Sequence, residues 1–167
     1  ELVGVARVLA MAHASGFTLD ANVSEPKNVE ISKRGPVTKR SAASLPWLDR
    51  NGCLEFAKGK IGKALGAEFR AIDDFPSRVR LPDGPLLLCH RVMAIEGVPK
   101  SLGPGRLITE HDVGQDSWYL DGGRIPTSIA VEAGQADLLL SAYLGADFHT
   151  RVEAHYRLLD AVVIFHD

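Results

Sequence analysis

The side chains that could do chemistry lie close together between residues 116 and 135, in the stretch DSWYLDGGRIPTSIAVEAGQ. Ser128, Glu132 and Gln135 are separated by four and three residues, so on a helix they share a narrow arc. The rest of that helix is apolar, and a carboxylate there is costly unless it is hydrogen-bonded or faces a cavity. Glu132 is therefore either part of a structural polar seam or an acid placed for proton transfer.

Histidine is the side chain that most often supplies a general base to such an acid. The sequence contains six, at His13, His90, His111, His149, His155 and His166. None of them immediately precedes the helix that carries Glu132, which is where a base would be needed. Histidines scattered in this way are most simply surface or core residues, so we do not expect an active site completed within this chain.

The two cysteines, Cys53 and Cys89, lie far apart in the sequence within apolar stretches. Two cysteines alone are a poor basis for a disulfide framework or a metal site. We predict that both are buried free thiols. Leucines flank Cys89 on its N-terminal side, and no acid or histidine can be paired with it, so it is not expected to be a nucleophile.

The element that must position Glu132 is a helix from about Ser128 to Leu144, which is apolar almost all the way round and closed by Gly145. Such a helix is predicted to be buried on most sides. A second helix is predicted where Leu54, Ala57, Ile61 and Ala64 share one face, with Gly66 as its C-cap and Gly59 and Gly62 as weak points. Strands are predicted in the apolar run ending at Gly97, in the alternating RLITEHDV at 106–113, and in YRLLDAVVIFH at 156–166.

The bulk properties are those of a folded protein. The chain has 167 residues, 46% of them hydrophobic and 24% charged, which is enough for one domain with a real core. The formal net charge of -2 gives no reason to expect nucleic acid or an anionic membrane as a partner. No apolar run reaches the roughly 20 residues that span a bilayer, and the first residues lack the pattern of a signal peptide.

We divide the chain into three parts: a helix at 1–16 from an upstream region, an extended basic and proline-containing linker at 17–44, and a folded domain at 45–167. A helix that is apolar on nearly every face needs a sheet wide enough to cover it, and three strands are too few. The fold class is therefore predicted to be α+β and incomplete at its C-terminus.

Four segments in order carry a resemblance to a known family: FAKGKIGKALG, RVRLPDGPLLLCHRV, DSWYLDGGRIPTSIAVEAGQADLLLSAYLGADF and YRLLDAVVIFH. Together they resemble the first, non-catalytic hotdog unit of the dehydratase region of polyunsaturated fatty acid synthases and related iterative polyketide synthases. The resemblance implies a hotdog fold, in which an antiparallel sheet wraps a central buried helix.

The resemblance also implies chemistry on a β-hydroxyacyl thioester, in which a histidine removes the α proton and an acid on the central helix helps the hydroxyl leave. Trp118 and Tyr119 match the aromatic positions before the turn and, with Gln135, are the expected substrate contacts. Pro126 matches the proline of the turn, and Glu132 falls where the acid belongs. The residues between Tyr119 and Pro126 are LDGGRI, so the histidine is missing and the spacing is too short.

The resemblance thus predicts a cytoplasmic dehydratase-like unit that lacks the base and serves as the pseudo-catalytic half of a double hotdog, with Glu132 as candidate acid of a composite site. Its partners would be the adjacent hotdog unit, other domains of the same synthase, and an acyl carrier protein whose phosphopantetheine carries the β-hydroxyacyl chain. Arg78, Arg80 and Arg91 are candidate contacts for that phosphate. No cofactor or metal is implied, since acid–base dehydration requires neither.

Two alternatives remain open at this stage. The unit could be a purely structural scaffold that docks neighbouring synthase domains and contributes no side chain to any site. It could also be a hotdog acyl thioesterase, since such enzymes work with an acid on the central helix as well.

Overall fold

The computed structural model describes residues 45–151. The predicted helix at 1–16, the linker at 17–44 and the predicted strand at 156–166 lie outside the described residues. The helices and strands are, in chain order, α1 (Arg50–Lys58), α2 (Ile61–Ala64), β1 (Arg91–Glu96), β2 (Arg106–Glu110), α3 (Thr127–Ala133), α4 (Asp137–Tyr143) and α5 (Ala146–Thr150). Turns of 3-10 helix occupy Ala67–Asp74, Gly84–Leu86 and Gly134–Ala136. The described part is therefore α+β, with a small antiparallel sheet.

The first helix of the described part is divided into α1 and α2, so the prediction of one continuous helix is wrong. α1 begins at the N-cap Asp49, whose side chain accepts a hydrogen bond from the Gly52 N–H at 2.8 Å, and it ends at Gly59. The Asp73 carboxylate then accepts hydrogen bonds from the N–H groups of Ile61 and Gly62, at 2.6 and 3.2 Å, and so caps α2. A break at this point is stable because the new helix start has its own acceptor.

Close packing explains why glycine stands at position 62. A Cβ atom there would lie 2.6 Å from the Cα of Arg70, which is part of the 3-10 helix at Ala67–Asp74. Glycine has a low helix propensity and so weakens α2, but its lack of a side chain lets the 3-10 helix pack directly against α2.

The sheet consists of β1 and β2, which pair antiparallel from Arg91 opposite Glu110 to Glu96 opposite Arg106. The register shifts by one residue between Val92 and Ala94, which is a β-bulge. The sequence predicts both strands, but each is shorter than its apolar or alternating run. The residues before β1 form irregular backbone and a 3-10 turn, and β2 ends at Glu110.

The segment from about residue 75 to residue 90 follows an irregular path, and side chains satisfy much of its backbone. Arg50 donates to the carbonyls of Leu87 and Cys89 at 3.2 and 3.0 Å. The Val79 N–H donates to both carboxylate oxygens of Asp147, at 3.0 and 3.1 Å. Buried backbone polar groups outside regular structure need such partners, so these contacts determine the course of the segment.

The helical run that carries Glu132 extends from α3 through a 3-10 turn into α4, and Gly145 ends it with a φ of +96°. The prediction that it is buried on most sides holds only for its second half. Ala136, Leu139, Leu140 and Ala142 are buried, whereas α3 contains no buried residue. The two described strands are too few to cover α3 as well.

The core forms where α1, α2 and the first 3-10 helix meet the sheet and α4. Its largest fully buried side chains are Phe56, Phe69, Ile61, Ile72, Leu139, Val92 and Cys53. Asp147 is the one buried charged side chain within residues 45–151, and it is 2% exposed. None of the described helices is both long enough and apolar enough to cross a lipid bilayer.

We expect Asp147→Ala to lower the free energy of unfolding by about 1–3 kcal/mol, because the buried Val79 N–H would lose its acceptor. Urea denaturation at pH 7 measures this loss. Asp74→Ala is the matched control, since Asp74 is exposed, and it should stay within about 0.5 kcal/mol of the wild type. Equal stability of the two variants would contradict the role assigned to Asp147.

Candidate functional site

Glu132 and Gln135 lie together, as the sequence predicts. The Gln135 amide donates to Glu132 Oε2 at 2.8 Å, and both side chains are half-buried. They line a small cavity of about 10 Å³ whose other walls include Leu87, Leu88 and Ala136. A space of this size has room for about one water molecule and none for an acyl chain. Among the described residues, Glu132 has an amide and not a cation as its partner.

The residues that stand where the resemblance expects a histidine form a tight two-residue turn. Asp121 and Arg124 exchange backbone hydrogen bonds at 3.0 Å in both directions, and Gly122 and Gly123 have φ angles of +55° and +78°. Two consecutive positive φ angles are the signature of a type I′ turn, which glycine tolerates at no steric cost. The short spacing between Tyr119 and Pro126 is thus explained by a closed turn.

Trp118 and Tyr119 do not line the Glu132 cavity. They line a second, open cleft of about 410 Å³, together with Pro85, His90 and His111. Leu87 and Leu88 line both cavities, so these two leucines form the wall between them. The predicted site residues therefore fall into two pairs on opposite sides of one wall.

Strand pairing brings His90 and His111 together at this cleft. Arg91 lies opposite Glu110, and the His90 N–H donates to the Glu110 carbonyl at 2.9 Å. The two imidazoles stack with ring centroids 4.6 Å apart and planes inclined by 24°. His111 Nε2 lies 2.7 Å from the Tyr119 hydroxyl, and His90 Nδ1 accepts a hydrogen bond from the Asp112 N–H at 2.9 Å.

Both imidazoles are held neutral at pH 7. Burial lowers the pKa of His90, and the Arg50 guanidinium lowers it further. Burial also lowers the pKa of His111, with the stacked His90 ring as the next cause. Asp112 opposes the shift in both rings, but its carboxylate is engaged by Arg91, which lowers the pKa of Asp112.

The interpretation of the histidines as scattered is wrong for His90 and His111. Their proximity could have been predicted from the sequence by pairing the two predicted strands that adjoin them. Once Arg91 is placed opposite Glu110, the antiparallel register puts His90 opposite His111. The remaining described histidine, His149, is exposed on α5.

The three arginines considered as phosphate contacts all have protein acceptors. Arg78 donates to the carbonyls of Ile72 and Asp73, and Arg80 to those of Phe56 and Gly59. Arg91 binds the carboxylates of Glu110 and Asp112 at 2.6–2.7 Å. None of the three arginines lines either of the two cavities described above.

Cys53 and Cys89 are buried free thiols, as predicted, with their sulfur atoms 3.8 Å apart. The hydrogen bond with Cys53 and burial both raise the pKa of Cys89, so this thiol is protonated and unsuited to nucleophilic attack. Within residues 45–151, no three histidine, cysteine, aspartate or glutamate side chains are grouped so that they could hold a metal ion.

Comparison with known proteins gives one informative match. Over 114 residues, 68% of the chain, the sequence is 41% identical to a subunit of the polyunsaturated fatty acid synthase of Thraustochytrium sp.. The chain is therefore related to a polyunsaturated fatty acid synthase, and the predicted resemblance is confirmed at that level. The matched stretch is 8% of the length of that relative. No protein-family model matches the chain, and no solved structure matches it.

The stacked histidines make stability depend on pH. Because the folded pKa of each ring lies below its unfolded value, the unfolded chain takes up protons first as the pH falls through about 6.5. The free energy of unfolding should therefore fall as the pH drops below about 6.5 and level off once the folded rings are protonated. His90→Phe keeps a stacked ring and should flatten this dependence.

Urea midpoints measured from pH 8 to pH 5 would show the effect as a difference in slope between the two proteins. The exposed His149→Phe serves as the matched control and should keep the wild-type slope. An identical slope in His90→Phe and in the wild type would show that the stack does not titrate in this way.

Proposed function

We propose, from the relation of this chain to a polyunsaturated fatty acid synthase, that it is a dehydratase-like hotdog unit of such a synthase. In this proposal the unit takes part in dehydration of a β-hydroxyacyl chain on an acyl carrier protein. It lacks the catalytic base and forms the non-catalytic half of a double hotdog, with the adjacent unit and other domains of the synthase as partners.

The observation that carries the proposal is the turn between Asp121 and Arg124. This turn occupies the place before α3 where a base would have to stand, and it closes within two residues. His90 precedes β1 and His111 follows β2, and both line the other cavity, on the far side of Leu87 and Leu88 from Glu132. Residues 45–151 thus place no histidine beside Glu132, and in this proposal the base comes from another unit.

The environment of Glu132 supports a role as the acid of a composite site. The side chain is half-buried at the end of α3, and its described hydrogen bond comes from a neutral amide. A structural carboxylate inside a fold is more often paired with a cation or with several donors. The surface of α3 is also partly exposed, since none of its residues is buried, which leaves room for a second unit to pack against it.

The scaffold alternative has its own support in the exposed apolar side chains. Trp118 is 62% exposed and Val98 is 68% exposed, and such residues are available for contacts between domains. Under this alternative Glu132 would be a structural residue that serves only its hydrogen bond with Gln135.

The two roles of Glu132 are separated by Glu132→Gln in a complete synthase. The amide keeps the shape and can still hydrogen-bond, but it cannot donate an acid proton. If Glu132 is the acid of a composite site, dehydration of carrier-bound β-hydroxyacyl substrate should fall about 10²–10⁴-fold. Turnover should be followed by the appearance of the enoyl product, with Glu68→Gln, an exposed glutamate, as the matched control.

A structural role would give a different pattern. Glu132→Gln would then leave dehydration within a few-fold of the wild type, and the composite site would have to be abandoned. Glu132→Leu removes the acceptor of the Gln135 amide and should cost of the order of 1 kcal/mol of unfolding free energy under either role.

The isolated chain should neither dehydrate a β-hydroxyacyl thioester nor hydrolyse an acyl thioester. The reason is that its cavity at Glu132, of about 10 Å³, has no base among the described residues and no room for an acyl chain. Both reactions are followed with carrier-bound or N-acetylcysteamine thioesters. Measurable dehydration would overturn the non-catalytic assignment, and measurable hydrolysis would favour a thioesterase.

A further inference from the structure

The open cleft on the other side of Leu87 and Leu88 has the size and composition of a ligand site. Its volume of about 410 Å³ falls within the usual range for small-molecule sites, which is about 300–1,000 Å³. Apolar walls come from Pro85, Leu87, Leu88 and the Trp118 ring, and polar groups come from His90, His111 and Tyr119. Apolar walls that carry several grouped polar side chains are a common feature of binding sites.

His90 offers a hydrogen-bond donor to this cleft. Its Nδ1 accepts from the Asp112 N–H at 2.9 Å, so in the neutral ring the proton must be on Nε2. The ring lines the cleft, and Nε2–H is the polar group that it has left to offer a ligand. This tautomer follows from the backbone contact and does not depend on a ligand being present.

Tyr119 offers a second donor, next to the stacked rings. His111 Nε2 and the Tyr119 hydroxyl share one hydrogen bond of 2.7 Å, and His111 Nδ1 is buried without a partner among the described residues. Which group donates in this contact depends on the His111 tautomer. A proton on Nε2 makes the ring the donor, leaves Nδ1 as a bare acceptor and frees the Tyr119 hydroxyl hydrogen, and this tautomer is part of the proposal below. A ligand oxygen that accepts from this hydroxyl would complete the chain of hydrogen bonds.

The charges at the cleft favour an uncharged ligand. Asp112 lines the cleft, and Arg91 binds its carboxylate at 2.6 and 2.7 Å. Arg50 lines it too: its Nη1 donates to the carbonyls of Leu87 and Cys89, and its positive charge offsets the negative charge of Asp112. An ion that enters the cleft would therefore lose hydration without meeting a net opposite charge. A cation gains little from neutral imidazoles beside Arg50. A carbonyl oxygen suits two donors without requiring a charge.

We propose that this cleft binds the carbonyl end of an uncharged acyl compound, with His90 Nε2–H and the Tyr119 hydroxyl as donors and the Trp118 ring covering the aliphatic chain. That the acyl group is a thioester rests on the proposed function. The site is separate from Glu132, so it would hold an acyl chain against the unit without taking part in chemistry at Glu132.

Tryptophan fluorescence provides a direct test with the 167-residue chain. The sequence has two tryptophans, so Trp47→Phe leaves Trp118 as the reporter at the cleft. The probe is S-hexanoyl-N-acetylcysteamine, which combines a thioester, an amide and an aliphatic chain. Saturable change of the Trp118 emission is expected, and calorimetric titration of the wild-type chain should give the same Kd.

Variants at the two donors should weaken binding while the fold is retained. His90→Phe keeps the stacked ring and Tyr119→Phe keeps the aromatic wall, and each removes one donor. Loss of one hydrogen bond should raise Kd about three- to tenfold in each case. His149→Phe is the matched control and should leave Kd unchanged, since His149 is exposed on α5 outside the cleft. Circular dichroism verifies the fold of every variant.

The ligand class is tested with two related probes. N-acetylcysteamine lacks the acyl chain and hexanoate carries a charge, so both should bind at least about tenfold more weakly than the thioester. The first loses apolar contact, and the second loses hydration of its carboxylate without a net positive charge to replace it. Tighter binding of hexanoate would overturn the uncharged-ligand assignment. No saturable binding of the thioester, or an unchanged Kd in both donor variants, would overturn the site itself.

Failure here and failure of the proposed function are distinguishable. The cleft is tested by binding to this chain, whereas the composite site is tested by turnover in the complete synthase after Glu132→Gln. If the chain binds the thioester but Glu132→Gln leaves dehydration unchanged, the composite site is wrong and the cleft assignment stands. If Glu132→Gln lowers dehydration but the chain does not bind the thioester, the cleft assignment is wrong and the composite site stands.

Discussion

The arrangement of this molecule depends on how the irregular segment from about residue 75 to residue 90 satisfies its backbone. A chain that is partly buried outside helices and strands must find other partners for its N–H and C=O groups. Asp147 accepts from the Val79 N–H, and Arg50 donates to the carbonyls of Leu87 and Cys89. Arg80 of the same segment donates to carbonyls at the end of α1. These charged groups hold the segment between the helices and the sheet.

The path of that segment determines where the two cavities lie. It sets Leu87 and Leu88 as the wall between the Glu132 cavity and the histidine cleft, and it delivers His90 to the start of β1. The arginines predicted as candidate phosphate contacts, Arg78, Arg80 and Arg91, bind protein carbonyls and carboxylates. Because guanidinium groups have several donors in a fixed plane, one such side chain can satisfy two carbonyls at once.

The exposure of α3 is consistent with the proposed pairing with a second unit. α4 is packed into the core, whereas α3, which carries Glu132, keeps its side chains partly exposed. Two short strands are too narrow a sheet to cover both halves of the helical run. The proposed pairing with a second unit would supply that cover, and it would bring a base to a carboxylate that has none in the described residues.

Local pattern in the sequence was enough to predict the helical regions of α1 with α2 and of α3 with α4, and the strands around residues 91–96 and 106–110. It also predicted the buried thiols and the proximity of Glu132 and Gln135, because these follow from periodicity and short spacing. It did not predict α5 or the 3-10 helix at Ala67–Asp74. Tertiary packing determines three further features: the break between α1 and α2, the separation of Trp118 and Tyr119 from Glu132, and the stacking of His90 on His111. Each of these depends on atoms far apart in the chain: the Asp73 carboxylate that caps α2, the leucine wall, and the register of two strands. Periodicity carries no information on such contacts, since they form only when distant segments pack together.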